Sequence, residues 1–133
     1  MGKSILISGI LLVLTACAAA VVPENEINQQ LDSKADKEIV LVKVMDDSRC
    51  PEGTQCIWAG EVTVEVAAYE NKRLIEQRTF TLNFNKDNMD TVKHWFEKNI
   101  SAEKTTIKEI NVVPYPKEGV PIQPEDYKIA LQY

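Results

Sequence analysis

Histidine is nearly absent from this chain: His94 is the only one in 133 residues. A metal site built on two histidines is therefore excluded. Zinc held by His94 with Cys50 and Cys56 would need both thiols reduced. Basic residues are also scarce, 15 against 20 acidic ones, for a formal charge of −5. That balance argues against nucleic-acid binding and against electrostatic adhesion to anionic lipid. The five glycines form no phosphate-cradling loop. No serine stands in a nucleophile-elbow pattern. The acids around residues 46–61 (Asp46, Asp47, Glu52, Glu61) do not have the spacing of an EF-hand loop, and Arg49 among them is expected to pair with one. Internal repeats and low-complexity stretches are missing as well. These absences lead to the expectation of a non-enzymatic protein without a metal or cofactor.

Long hydrophobic runs are confined to one place. Residues 4–22 carry no charge, follow Lys3, and contain Leu14-Thr15-Ala16-Cys17. A cationic start, an apolar stretch and small residues describe an export signal. The tetrapeptide resembles the lipobox of bacterial lipoproteins. That resemblance implies acylation of the Cys17 sulfur, cleavage just before it, and an N-terminus held in the membrane. Ala18 supplies no acidic retention residue, which in a cell with two membranes implies transfer to the outer one, facing the periplasm. Two other readings stay open. The 19 uncharged residues approach the roughly 20 that a spanning helix needs, and ordinary signal cleavage after Ala18-Ala19-Ala20 would free a soluble protein. N-myristoylation is set aside, because Leu6 stands where Ser or Thr is required.

Three cysteines are an odd number for an exported chain, so one needs a separate role. If Cys17 carries lipid, Cys50 and Cys56 remain as a pair that an oxidising compartment would join. Closing so short a loop stabilises the fold modestly, by about 2 kcal/mol. The organisation expected is a signal peptide at 1–16, the lipidated cysteine and a flexible tether at 17–36, and a β domain at 37–133. The tether would reach about 65 Å if fully stretched.

Within the domain, period-two alternation dominates. Val62, Val64, Val66 and Ala68 share one side of a strand, with Glu61, Thr63, Glu65 and Tyr69 on the other. Tyr127, Ile129, Leu131 and Tyr133 line another strand, and Phe80, Leu82 and Phe84 a third. Residues 39–45 are apolar on both sides except at Lys43, as in a central strand or one covered on both faces. Glu76 and Arg78 fall on the side that Phe80 buries, which asks for a bulge or strand end near Glu76. Ile107 is out of phase with Ile110 and Val112. Asn71-Lys72 suits a short hairpin. Pro114, Pro116, Pro121 and Pro124 mark an extended connection. Met89, Val92, Trp95 and Phe96 form a helical stripe over residues 88–99, with Asp87 as cap and Asn99 as terminator. The fold class expected is mostly β: an antiparallel β-sandwich or open barrel with one short helix or long loop.

The segment Asp47-Ser48-Arg49-Cys50-Pro51-Glu52-Gly53-Thr54-Gln55-Cys56-Ile57-Trp58-Ala59-Gly60-Glu61 resembles a signature of small bacterial lipoproteins without a known reaction. Their pattern is Asp-Ser-Arg-Cys-Pro, four variable positions, Cys, an aliphatic residue and Trp-Ala-Gly. A Val-x-Pro-x-Pro-like segment follows, matched here by Val112-Val113-Pro114-Tyr115-Pro116. The resemblance implies a disulfide-bearing β domain on a lipid anchor. From the residues themselves, Ile57 and Trp58 are expected to enter a strand, with Trp58 packed over the small loop. The alternative is a docking surface formed by Arg49, Glu52 and Trp58. The function expected is a cell-envelope lipoprotein with a binding or structural domain. It would be membrane-attached through its lipid, with an envelope protein as partner and no nucleic acid. The competing reading is an inhibitor of a secreted hydrolase such as a lysozyme or protease.

Overall fold

A computed structural model describes residues 26–31, 35–83, 86–100 and 106–133, without the side chains of 86 and 87. The signal-peptide reading, Cys17 and Phe84 lie outside the described residues. The domain is a sandwich of two three-stranded antiparallel sheets, not closed into a barrel, with one helix against it.

The first sheet is a meander of β2 (Lys37–Asp47), β3 (Val62–Glu70) and β4 (Arg73–Leu82), in that order. Asn71 and Lys72 join β3 to β4 with φ of 49° and 64°. Two successive positive φ values make a hairpin turn whose twist matches that of the strands. The alternating apolar side of β3 is buried as its pattern demands, from Val62 through Ala68. Its wet side pairs across strands: Thr63 with the Thr81 hydroxyl at 3.1 Å, and Glu65 with Gln77 at 2.7 Å and Lys43 at 3.6 Å. On β4, Ala68 faces Glu76 while Tyr69 faces Leu74, so Ile75 is an extra, bulged residue. A bulge near Glu76 is therefore present, but it re-phases only Arg73 and Leu74: Glu76 and Arg78 stay opposite Ala68 and Val66, on the side of Phe80 and Leu82, where Glu76 accepts from Arg78 and from the Trp95 indole.

β2 departs from its sequence pattern. It is an edge strand, not a central one. Both faces are covered only around Val40 and its cross-strand partner Ala67. Register shifts between Leu41 and Lys43, and between Val44 and Asp46, leave Val42 and Met45 as extra, exposed residues. An apolar run with two bulges looks two-sided in sequence although one side is partly wet. Bulges also twist an edge away from pairing with other chains.

The second sheet has the order β1 (Glu26–Ile27), β6 (Lys128–Gln132), β5 (Glu109–Val113). β1 corrects the tether boundary. Glu26 and Ile27, assigned to the tether by their lack of periodicity, pair with Ala130 and Ile129, and Ile27 is buried. Lys128 reaches Glu26 at 3.3 Å, and the Gln29 amide donates to the carbonyls of Pro124 and Tyr127. The Leu41 amide donates to the Asn28 carbonyl at 2.9 Å, tying this segment to the first sheet. A two-residue strand has no sequence period to reveal it.

Helix α1 (Lys86–Asn99) starts two residues earlier than its stripe suggests, so Asp87 lies in the first turn instead of before it. Asn99 ends it and donates its side-chain amide to the Trp95 carbonyl at 2.8 Å. The stripe is buried at Val92, Trp95 and Phe96. Phe80, Trp95 and Phe96 meet edge-on or tilted, with centroids 5.2–6.1 Å apart. The buried end of Trp95 needs a partner, and its indole N–H donates to Glu76 at 2.9 Å. Ile107, out of phase with β5, precedes that strand and is buried while its amide donates to Glu97 at 2.8 Å. Phe96→Ala should destabilise the domain by about 3–5 kcal/mol in urea unfolding, through lost transfer energy and a cavity. Ile75→Ala, at the exposed bulge, should stay within about 0.5 kcal/mol of the parent.

Candidate functional site

The Asp47–Glu61 motif forms a lobe at one end of the sandwich. Asp47 closes β2, and the chain then doubles back. Ser48 and Cys50 donate their amides to the carbonyls of Glu61 and Ala59, at 2.8 and 3.0 Å. Gly60 makes this approach feasible. At its φ of +75° a Cβ would lie 1.9 Å from the Ser48 carbonyl oxygen, so no other residue fits. Cys50 and Cys56 are joined in a disulfide with Cα atoms 5.9 Å apart. The closed loop is stitched to the proline-rich connection: Glu52 donates to the Pro116 carbonyl at 2.9 Å, and Glu118 to the Glu52 carbonyl at 3.1 Å.

Arg49, expected at a docking surface, is a largely buried residue. It is 8% exposed. Its guanidinium forks onto Asp47, with Nε to Oδ1 at 2.8 Å and Nη2 to Oδ2 at 2.7 Å. It also donates to the carbonyls of Val112 and, at 3.2 Å, Pro114. The Tyr115 ring lies 5.1 Å from the guanidinium carbon. β5 is the edge of its sheet, and the two acceptors are the carbonyl of Val112 within it and that of Pro114 just beyond it. Arg49 thus stands where a neighbouring strand would, and links the first sheet to the second. Five donors in a rigid plane suit this task as no lysine would.

The Tyr127 hydroxyl adds a bond to Asp47 Oδ2 at 3.0 Å. Burial alone would raise the Asp47 pKa, but the hydrogen bonds and charge of Arg49, with the Tyr127 bond, outweigh it and hold the carboxyl below its ordinary value. Tyr127 is pushed up, first by burial and then by the adjacent Asp47.

The rest of the lobe faces outward. Glu52 is exposed, Trp58 is 65% exposed, and Ile57 is 106% exposed. Trp58 is not buried, and neither residue enters a strand, since β3 begins at Val62. The physical reason is local: Gly60 brings the chain back against Ser48, so residues 57 and 58 sit on a bend that points away from the core. Tyr115 and Val120 in the stitched connection are exposed apolar residues of the same lobe.

Beside the lobe lies a groove of about 680 Å³. Its walls include Val62 and Leu82 from the first sheet, Met89 and Lys93 from α1, and Ile110 and Val112 from β5. Arg49, Glu52 and Tyr115 form part of its lining on the lobe side. His94 is exposed on α1. Among the described residues no group of three or more His, Cys, Asp or Glu is placed to hold a metal ion. The arrangement presents a rigid apolar tip and an adjacent groove. Its one buried charged pair is occupied in holding the structure together.

Arg49 pairs with an acid of its own segment, as expected, and that acid is Asp47; the Val112 and Pro114 carbonyls and Tyr127 were not foreseen. Main-chain acceptors carry no signature of residue type. The chain matches no protein family, no curated protein and no solved structure.

Asp47→Asn should cost about 3–5 kcal/mol at neutral pH, because it leaves Arg49 buried without its counter-charge. A depressed carboxyl pKa stabilises above the unfolded pKa and loses its effect as pH falls through the folded one. The parent should therefore lose more stability than Asp47→Asn between about pH 5 and pH 2, and urea midpoints for the two should converge on acidification.

Proposed function

We propose that this chain is a lipid-anchored, extracytoplasmic lipoprotein of the bacterial cell envelope, and that its domain is a non-enzymatic binding module. The observation that carries the binding reading is the exposed Ile57–Trp58 tip on a lobe fixed by a disulfide, a glycine contact and main-chain hydrogen bonds. Large apolar side chains held in one geometry before contact lose little freedom on binding. Aromatic residues in such positions supply much of the energy of interfaces. The anchoring reading rests on Leu14-Thr15-Ala16-Cys17 behind an uncharged run.

Together the two readings set a working distance. Only residues 18–25 separate Cys17 from β1. Eight residues span at most about 28 Å when extended, so the domain acts close to the membrane to which its lipid attaches. A partner in the same membrane, or resting on it, is within reach.

A second reading, inhibition of a secreted hydrolase such as a lysozyme or protease, is favoured by the same tip, since a protruding rigid loop suits an active-site cleft. Arg49 has no part in it, being buried. Inhibition of such an enzyme by the full-length protein, lost in Trp58→Ala, would select this reading over a structural contact.

The anchor is tested by metabolic labelling with palmitate and intact-mass measurement. The expected result is a chain starting at Cys17, heavier by a diacyl or triacyl group, with the label lost in Cys17→Ser. A mature chain that keeps residues 1–16, or one unmodified at Cys17, would overturn it.

A further inference from the structure

We propose that the Ile57–Trp58 tip is the apolar centre of a protein interface whose partner presents a basic, concave surface. The inference rests on the binding reading above and gives the partner its chemistry. Three carboxylates belong to the lobe that carries the tip: Glu52 within the disulfide loop, Glu61 three residues after Trp58, and Glu118 in the stitched connection. Glu118 is held against the loop, its Oε2 lying 3.6 Å from the position a Cβ on Gly53 would take. Lys117 is the one cation of the lobe left to oppose them, because Arg49 is consumed by Asp47.

An apolar centre with a charged rim is the usual anatomy of a protein interface. Here the carboxylates of the lobe give it one dominant sign, on a chain whose formal charge is −5. Complementary potential across an interface steers encounter and rejects wrong partners. An anionic lipid surface would meet the carboxylates with like charge. A second copy docked tip to tip would do the same. A basic protein surface meets them with opposite charge, and a recess in it accommodates side chains that stand as clear of their own domain as Ile57 does.

Site-specific photo-crosslinking in cells of the source organism tests this with the full-length chain. The benzophenone amino acid p-benzoylphenylalanine replaces Trp58 or, separately, Ile57. Leu74, exposed on β4, serves as the control position. Retention of the disulfide, read by mass, verifies that each variant is folded. The expected result is that both tip positions give several-fold more adduct than position 74, to one protein, with the crosslinked peptide on a basic recess. Charge reversal by E52K with E118K should reduce the adduct by about tenfold or more, because like charges facing each other disfavour association strongly. Adducts to lipid, to another copy of this chain, or to a neutral or acidic surface would overturn the basic-partner inference and leave a binding module standing. An adduct indifferent to E52K/E118K would do the same. Yields at both tip positions no higher than at 74 would overturn the binding reading with it.

Discussion

A single buried ion pair organises the functional end of this domain. Asp47 ends a strand of one sheet, and Arg49 spans from it to main-chain carbonyls at the end of the other sheet's edge strand, Val112 within it and Pro114 just after it. Desolvating a guanidinium is costly, and the cost is met here only because nearly every donor finds an acceptor. The pair sits at the start of the lobe, one residue before Cys50. The disulfide, the Gly60 contact and the bonds to residues 116–118 all extend from that point. The pair is the side-chain link between the root of the lobe and the β5 edge.

Stiffness explains how exposed apolar side chains can stand at the end of such a lobe. Ile57 and Trp58 lie outside the core, between the disulfide at Cys56 and the Gly60 contact that constrain the chain on either side of them. The fold keeps apolar area in water at this place while burying the Val62–Ala68 stripe, the α1 stripe and the inner faces of β5 and β6. Under the proposed function, that exposed area is the contact surface, held near the membrane by a short segment after Cys17. The acidic residues of the same lobe then select what approaches.

Much of this architecture was legible in the residues. Period-two alternation identified β3, β4 and β6, and the helical stripe of Val92, Trp95 and Phe96 identified α1, because burial on one face imposes those periods. A bulge near Glu76 was expected from two charges out of pattern; it exists at Ile75, yet the charges keep to the side of Phe80. Other features left no trace. Bulges at Val42 and Met45 replace one apolar residue by another, so the edge strand β2 imitated a covered one. Arg49 looked like a surface residue because its acceptors are carbonyls 63 and 65 positions away. Trp58 looked like a core residue by its type, and only the backbone bend at 57–60 turns it outward.

Hydrogen–deuterium exchange on the parent and on Arg49→Lys tests the central role of the clamp most directly. Lysine keeps the charge but lacks the planar fork that reaches Asp47 and two carbonyls together. The account predicts that amides of the lobe, of residues 114–120 and of β5 lose protection together, while β3 keeps its own. Unchanged exchange in β5 and the lobe would contradict it, as would loss restricted to the immediate neighbours of residue 49.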